Sequence, residues 1–310
     1  MAALIGLDWG TSSLRAALIG PDGAILDRHA SSHGITSLPE GGFDTAFAAA
    51  TGRWRAAHPD LPVLASGMVG ARTGWREAAY VPCPGGAAEI ARSLLRFTTA
   101  DGSVLHIVPG MSYRNSVGIP DVMRGEETQI LGCAGEGAGL FVLPGTHSKW
   151  VQVEGGRIAS FASYLTGELF AALRRHTILR HTMPSLDEPD PFDTAAFTQG
   201  VRRAADRTGG GLLRRLFGAR ALALFGELGT EAGPAWLSGL VIGSELVEAT
   251  DEFGMAADRL VLVGGATLAQ RYAEAATILG IATETAHPDA AFLGQLRIAR
   301  LAGLMEESRP

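Results

Sequence analysis

Two short turns carry residue types that grip an anion. Asp8-Trp9-Gly10-Thr11-Ser12-Ser13 stands between the apolar runs 4–7 and 14–19, and Gly145-Thr146-His147-Ser148 interrupts "GLFVLPGTHSKWVQVEGGRIASF" (139–161) in the same way. A shift of 135 residues lays Gly10-Thr11 on Gly145-Thr146 and Ser13 on Ser148. A glycine followed by a hydroxyl residue between two strands leaves backbone N–H groups free and adds hydroxyl donors, and phosphate is the commonest occupant of such a nest. Each turn is followed by a strand, a glycine turn and a third strand. Two turns of one design, one per half, imply a duplicated unit with a ligand between the halves.

Other residues add chemistry around the turns. Asp8 ends the first strand, and Leu143 takes its place in the second copy. A lone carboxylate beside a phosphate cradle suits magnesium, held directly or through water. Glu126 and Glu127 open a helix predicted over 125–132. They either complement its dipole, or one of them orients and deprotonates an attacking hydroxyl. Lys149 is the sole lysine among 26 basic residues, which marks a position where arginine would not serve. Gly264-Gly265 end the apolar run "LVLVGGAT" and permit close approach of a ligand or of a packed helix. Other phosphate and catalytic signatures are absent: no GxxxxGK(S/T), no GxGxxG after the first strand, no HExxH, CxxC or GxSxG.

The elements that must position these groups follow from periodicity. Strands are predicted at 4–7, 14–19, 24–28, within 61–75 (a buried strand running into a glycine-rich loop), 104–110, 139–161 (three strands) and 259–266 (a strand running into a helix). Helices are predicted at 43–58, 86–97, 125–132, 163–175, 195–206, 235–249, after 266 and at 289–305. The segment 182–194, with three prolines and four acidic residues, reads as a surface excursion. The 310 residues allow two domains, and 46% hydrophobic with 19% charged residues gives ample core. A net charge of -6 without a basic run argues against nucleic acid. No run approaches the roughly 18 apolar residues of a membrane span, and "MAALIGLDWG" lacks the basic n-region of a signal peptide. Cys83 and Cys133 form no metal or redox spacing and fit a reducing, cytoplasmic compartment.

Taken together, "DWGTSSLRA", "RGEETQILG", "LPGTHSKWV" and "LVLVGGA" resemble the actin-like ATPase and sugar kinase superfamily in type and order. "SGMVGARTGW", "DVMRGEETQILG", "LTGEL", "AFTQGVRRA", "WLSGLVIGSEL" and "DAAFLGQLRIA" narrow the resemblance to the 2-dehydro-3-deoxygalactonokinase family, from residue 8 to the C-terminus. The resemblance implies an α/β fold of two ribonuclease-H-like domains with a cleft between them. The domains are 1–132 for the sugar acid and first phosphate loop and 133–310 for the nucleotide, with helix 289–305 packing back toward the first. It implies ATP and Mg2+ as cofactors and phosphorylation of 2-dehydro-3-deoxy-D-galactonate on its terminal (C6) hydroxyl, with domain closure excluding water. Asp8 would organise the metal. Gly10, Thr11, Ser12, Gly145, Thr146, His147, Lys149, Gly264 and Gly265 would hold ATP and its phosphates. Glu126, or Glu127, would replace the superfamily's usual catalytic aspartate as base. Met68, Val69, Gly70, Arg72 and Trp75 would form the sugar-acid loop, with Glu168 facing the same cleft. The expected partners are the sugar acid and ATP, with no nucleic acid or membrane and a homodimer as the default oligomer. Rival readings are a phosphohydrolase of the same superfamily, a kinase for the gluconate epimer and an ATP-gated module without turnover.

Overall fold

The repeated turn has its counterpart in two sheets that follow one strand path. The structure is a computed structural model that describes residues 2–186, 192–254 and 259–305. The first part of the chain forms β1 (Leu4–Trp9), β2 (Leu14–Ile19), β3 (Ile25–Ser31), α1 (Gly42–Ala57), β4 (Val63–Ser66), β5 (Tyr80–Pro82), α2 (Ala87–Arg92), β6 (Leu95–Thr98), β7 (Val104–Ile107), β8 (Gly110–Arg114), β9 (Pro120–Met123) and α3 (Glu126–Cys133). There follow β10 (Gly139–Leu143), β11 (Ser148–Glu154), β12 (Arg157–Tyr164), α4 (Thr166–His176), α5 (Thr194–Ala205), α6 (Leu212–Leu224), α7 (Gly233–Phe253), β13 (Leu260–Leu262), α8 (Ala266–Ile278), β14 (Thr283–Thr285) and α9 (Ala290–Leu301).

The first sheet runs β3-β2-β1-β4-β7-β6 and the second β12-β11-β10-β13-β14. In the first, β1, β2 and β3 form an antiparallel meander, and β4 and β7 join in parallel on the other side of β1. In the second, β13 and β14 likewise extend β10 in parallel. Apart from the edge strand β6, both have the order third-second-first-fourth-fifth of a ribonuclease-H-like unit. The 135-residue shift maps Leu4, where β1 begins, onto Gly139, where β10 begins. Strands such as β2 and β10 are buried almost residue for residue, as expected where both faces of a sheet are covered.

The chain divides into two compact units. Unit 1 comprises Met1–Ala138, Val151–Phe161 and His287–Pro310, and unit 2 comprises Gly139–Trp150 and Ala162–Ala286. The core of unit 1 is built from Ile5, Leu7, Trp9, Leu14, Phe47, Trp54 and Ile107, and that of unit 2 from Trp150, Phe197, Trp236, Leu240 and Tyr272 with their aliphatic neighbours. Within unit 1, α9 lies against α3, α2, β1 and β4, and the Arg28–Asp289 ion pair (2.6 Å) ties its start to β3.

Local expectations differ from the structure in two places, and a third lies partly outside the described residues. The helix predicted over 86–97 ends at Arg92, and Leu95–Thr98 instead pairs antiparallel with β7, because an open sheet edge outweighs local pattern. A small sheet β5-β8-β9 and the helix α6 are additional elements. Of the predicted excursion 182–194, residues 187–191 lie outside the described residues.

Each unit crosses two helices at a pair of glycines. A Cβ at Gly132 of α3 would lie 1.9 Å from the Ala290 carbonyl, and one at Gly294 of α9 would lie 1.9 Å from that of Thr128. In unit 2 the same device joins α5 and α7, where Gly200 and Gly239 each leave 2.1 Å to the carbonyls of Trp236 and Phe197. Gly294→Ala should therefore force backbone apart and destabilise the protein by about 1–3 kcal/mol, measured by urea unfolding. A change within about 0.5 kcal/mol, the usual range of a surface substitution, would show that the crossing yields freely.

Candidate active site

In unit 1 the first turn is fixed from behind and open in front. Gly10 N donates to Ser13 O at 2.9 Å, and the amides of Ile35 and Thr36 donate to the carbonyls of Gly10 and Thr11, both at 3.1 Å. Gly34 permits this contact, since a Cβ there would stand 2.3 Å from the Thr11 carbonyl oxygen. Thr11 and Ser12 stay exposed, so the hydroxyls face solvent while the carbonyls are occupied. Asp8 is opposite Arg15 across the β1–β2 pair and accepts from its guanidinium, with Nε at 3.1 Å.

Three segments singled out by sequence converge on one glycine. Parallel pairing sets Asp8 beside Ser66, so the first turn and the loop after β4 leave the sheet at the same edge. Gly67 (φ 95°) then leaves its absent Cβ only 2.8 Å from Trp9 O, and Gly125 (φ 105°) leaves its own 3.0 Å from Gly67 Cα. Both φ values lie in the region that favours glycine. The first turn, the 67–75 loop and the start of α3 thus meet backbone to backbone.

The two glutamates at that helix start differ in setting. Glu126 is partly exposed, and one carboxylate oxygen accepts from Arg124 N at 2.9 Å. Glu127 is 0% exposed, accepting from Gly125 N at 2.7 Å and from the Thr128 hydroxyl at 2.8 Å. Burial, and secondarily the Glu126 charge, pushes the Glu127 carboxyl up to about 8. Arg124, which sequence reasoning passed over, is 7% exposed and stacks on Tyr80 at 4.3 Å. It donates to Ala78 O at 2.7 Å, while its Nε and Nη1 are buried without a partner among the described residues.

The proposed sugar-acid loop is not uniform. Met68–Gly70 form a 3-10 turn in which Met68 is half-buried and Val69 is 0% exposed in the core. Gly70 lies under Ile107 and Arg124. Arg72 is exposed. Trp75 packs among Trp9, Phe43, Phe47 and Phe97, its ring stacked on Phe43 at 5.8 Å.

In unit 2 the parallel pairing of β10 with β13 gathers the second turn and the glycine pair. Val263 N donates to Val142 O at 2.8 Å, and Gly264 (φ 131°) faces the Pro144 carbonyl. Gly265 caps α8 with open space around its Cβ position, so the positive end of the helix is exposed beside the turn. Glu168, expected to face the sugar-acid cleft, is bonded to this turn. Its amide donates to Thr146 O at 3.0 Å and its carboxylate meets His147 Nε2 at 2.5 Å. Gly167 makes room, because a Cβ there would be 2.4 Å from the Gly145 carbonyl oxygen. Lys149 is 6% exposed without an ion-pair partner among the described residues. Beneath the turn, Glu245 of α7 accepts from Trp150 Nε1 at 2.8 Å and from the Tyr272 hydroxyl at 2.6 Å. Burial pushes its carboxyl up, and those hydrogen bonds oppose the shift. No group of three or more His, Cys, Asp or Glu among the described residues could hold a metal unaided, and no helix among them is long and apolar enough to cross a membrane.

Comparison with known proteins gives a consistent result. Residues 8–298 match the family model described as 2-keto-3-deoxy-galactonokinase. The chain is 39% identical over 300 residues to a Rhizobium meliloti (strain 1021) protein named as a 2-dehydro-3-deoxygalactonokinase, covering 94% of this chain and 95% of that one. Against the Escherichia coli (strain K12) 2-dehydro-3-deoxygalactonokinase the identity is 34% over 297 residues, covering 96% and 97%. A crystal structure of a 2-dehydro-3-deoxygalactonokinase protein from Sinorhizobium meliloti aligns with a TM-score of 0.85 at 38% identity, covering 96% of this chain and 98% of that one.

The setting of Glu127 makes stability depend on pH. Its carboxyl titrates near 4.5 when unfolded and near 8 when folded, so between those values the folded chain holds a proton that the unfolded chain releases. Its contribution is complete at low pH and is lost as pH rises toward about 8. Glu127→Gln removes this titration. The stability of E127Q relative to the parent should rise steadily from pH 5 to about 8 in urea unfolding, whereas a difference independent of pH would refute the protonated state.

Proposed function

The chain belongs to the 2-keto-3-deoxy-galactonokinase family, and we propose that it uses ATP to phosphorylate 2-dehydro-3-deoxygalactonate on its terminal (C6) hydroxyl. The observation that carries this reading is the pair of like turns, each held from behind by its own unit with glycine and hydroxyl groups left forward. Phosphoryl transfer asks a protein mainly for positioning and for stabilisation of spreading charge, and such turns supply both.

In unit 2, Gly145, Thr146 and His147 hold the ATP phosphates, with Lys149 as counter-charge and Gly264-Gly265 at the exposed helix start beside them. In unit 1, Gly10, Thr11 and Ser12 form the loop around the phosphoryl group as it passes to the sugar-acid hydroxyl. The sugar acid rests on the 67–75 loop through Met68, the Gly70 backbone and Arg72. The incompletely bonded Arg124 favours an anionic acceptor there, since a buried cation is costly until paired. Glu126, the glutamate with access to solvent, orients the hydroxyl and accepts its proton. Glu127 has both oxygens occupied and fixes Gly125 beneath it. Asp8 fits magnesium, an ion commonly held by one or two carboxylates plus substrate phosphates. Arg15 would then share or yield one carboxylate oxygen. Bound there, the ion would neutralise charge on the phosphoryl oxygens.

Two measurements test this reading. Magnesium-ATP turnover should depend strictly on the galactonate-derived acid, with its gluconate epimer a poor substitute; ATP consumption independent of both acids would convert the protein to a phosphohydrolase. Glu126→Gln should lower kcat by roughly 10²–10⁴-fold while leaving the KM for ATP near its parent value. An E126Q enzyme of full kcat would remove Glu126 from the chemistry.

A further inference from the structure

The most apolar helix of unit 2 carries a carboxylate in its buried face. α7 buries Trp236, Leu237, Leu240, Val241, Ile242 and Leu246, and Glu245, 3% exposed, is the one charged residue buried with them. Placing a carboxylate there is expensive unless donors surround it. Trp150 Nε1 donates to one oxygen at 2.8 Å and the Tyr272 hydroxyl to the other at 2.6 Å, the Thr166 hydroxyl also bonds to the carboxylate, and Ser148 joins through Tyr272. Because Tyr272 spends its proton on Glu245, its oxygen is free to accept from Ser148 Oγ at 3.1 Å.

The donors sit on both flanks of the second turn. Ser148 and Trp150 open β11 directly after His147, and Ser148 is 0% exposed. Thr166 is the first residue of α4, whose Gly167 presses on the Gly145 carbonyl and whose Glu168 is bonded to Thr146 and His147. The turn is therefore held between two chain segments fastened to a single carboxylate beneath them.

We infer that Glu245, acting through Tyr272, Ser148 and Thr166, is a positioning residue that fixes the 145–147 turn in its phosphate-binding geometry. The inference rests on the reading that this turn holds the ATP phosphates. Glu245 is too buried to touch nucleotide and takes no part in proton transfer. Its work is to remove the freedom of the two segments that carry the turn, so that their donors are aimed before ATP arrives.

The test compares Glu245→Gln, Tyr272→Phe and their double variant with the parent. Glutamine keeps the shape but presents one acceptor where the carboxylate presents two, and phenylalanine cuts the link to Ser148. E245Q should raise the KM for ATP, and weaken binding of a non-hydrolysable ATP analogue in calorimetry, by about tenfold or more. The KM for the sugar acid should stay within about twofold. Y272F should move in the same direction, and the double variant should be no worse than E245Q alone, because the two groups act as one unit. A merely structural role would instead lower the melting temperature and the active fraction with both KM values intact, and that outcome overturns the inference. Should E245Q fail to fold, Y272F with parental ATP binding would overturn it equally. A Thr146→Ala control separates the two layers. Parental ATP affinity in T146A would overturn the assignment of the turn itself, whereas weakened affinity in T146A beside an unchanged E245Q would overturn only the role of Glu245.

Discussion

The candidate site depends on backbone meeting backbone where a side chain would normally intervene. Gly67 is the centre of this constraint in unit 1, pressed between the Trp9 carbonyl and Gly125. Any Cβ at that point would separate the first turn from α3 and carry Glu126 away with it. Parallel pairing is what makes the approach possible, because β1 and β4 deliver their following loops to one edge of the sheet. The same logic orders unit 2, where β10 and β13 end together and Gly167 closes on the second turn. Turns that must face a ligand with amides and hydroxyls cannot be buried, so their rigidity comes from packing behind them.

Buried carboxylates supply much of that packing. Glu127 and Glu245 both lie directly behind exposed groups, and burial pushes the carboxyl of each upward. A hydrophobic residue would fill either space at less cost in desolvation, but it could not hold Gly125 N in one case or the Trp150, Tyr272 and Thr166 donors in the other. Hydrogen bonds to a carboxylate are directional where apolar contact is not, and direction is what an exposed turn needs from its support.

These arguments also mark what the sequence could and could not tell. The strands around both turns were readable because runs buried on two faces are continuously apolar and stop at glycine, and the 135-residue echo survives as one strand order in both sheets. The edge strand at Leu95–Thr98 was not readable, since its six-residue neighbour α2 shares the same local pattern and only pairing with β7 separates them. Glu126 and Glu127 are adjacent and chemically alike, and burial alone distinguishes them. The bonds of Glu168 to Thr146 and His147 have no signature in the sequence, where His147 and Glu168 stand 21 positions apart. Arg124 and Glu245 gave no signal: an arginine after a methionine and a glutamate within an apolar helix look like ordinary surface residues until the fold encloses them.

The two copies of the turn have diverged in how they use a carboxylate. Under the 135-residue shift Asp8 becomes Leu143 and Arg15 becomes Trp150, so an ion pair in one copy is replaced by two apolar residues in the other. Arg15 is half exposed while the Asp8 carboxylate is 12% exposed, so water reaches this pair from the arginine side. Trp150 instead donates inward to Glu245, which is closed to water and saturated with donors. A carboxylate that is to change partners during a reaction must be reachable, and one that is to hold a loop still must not be. The first turn pairs its acid with a solvent-facing arginine and the second keeps its acid underneath, sealed from water, so the two copies of one strand order use a carboxylate differently.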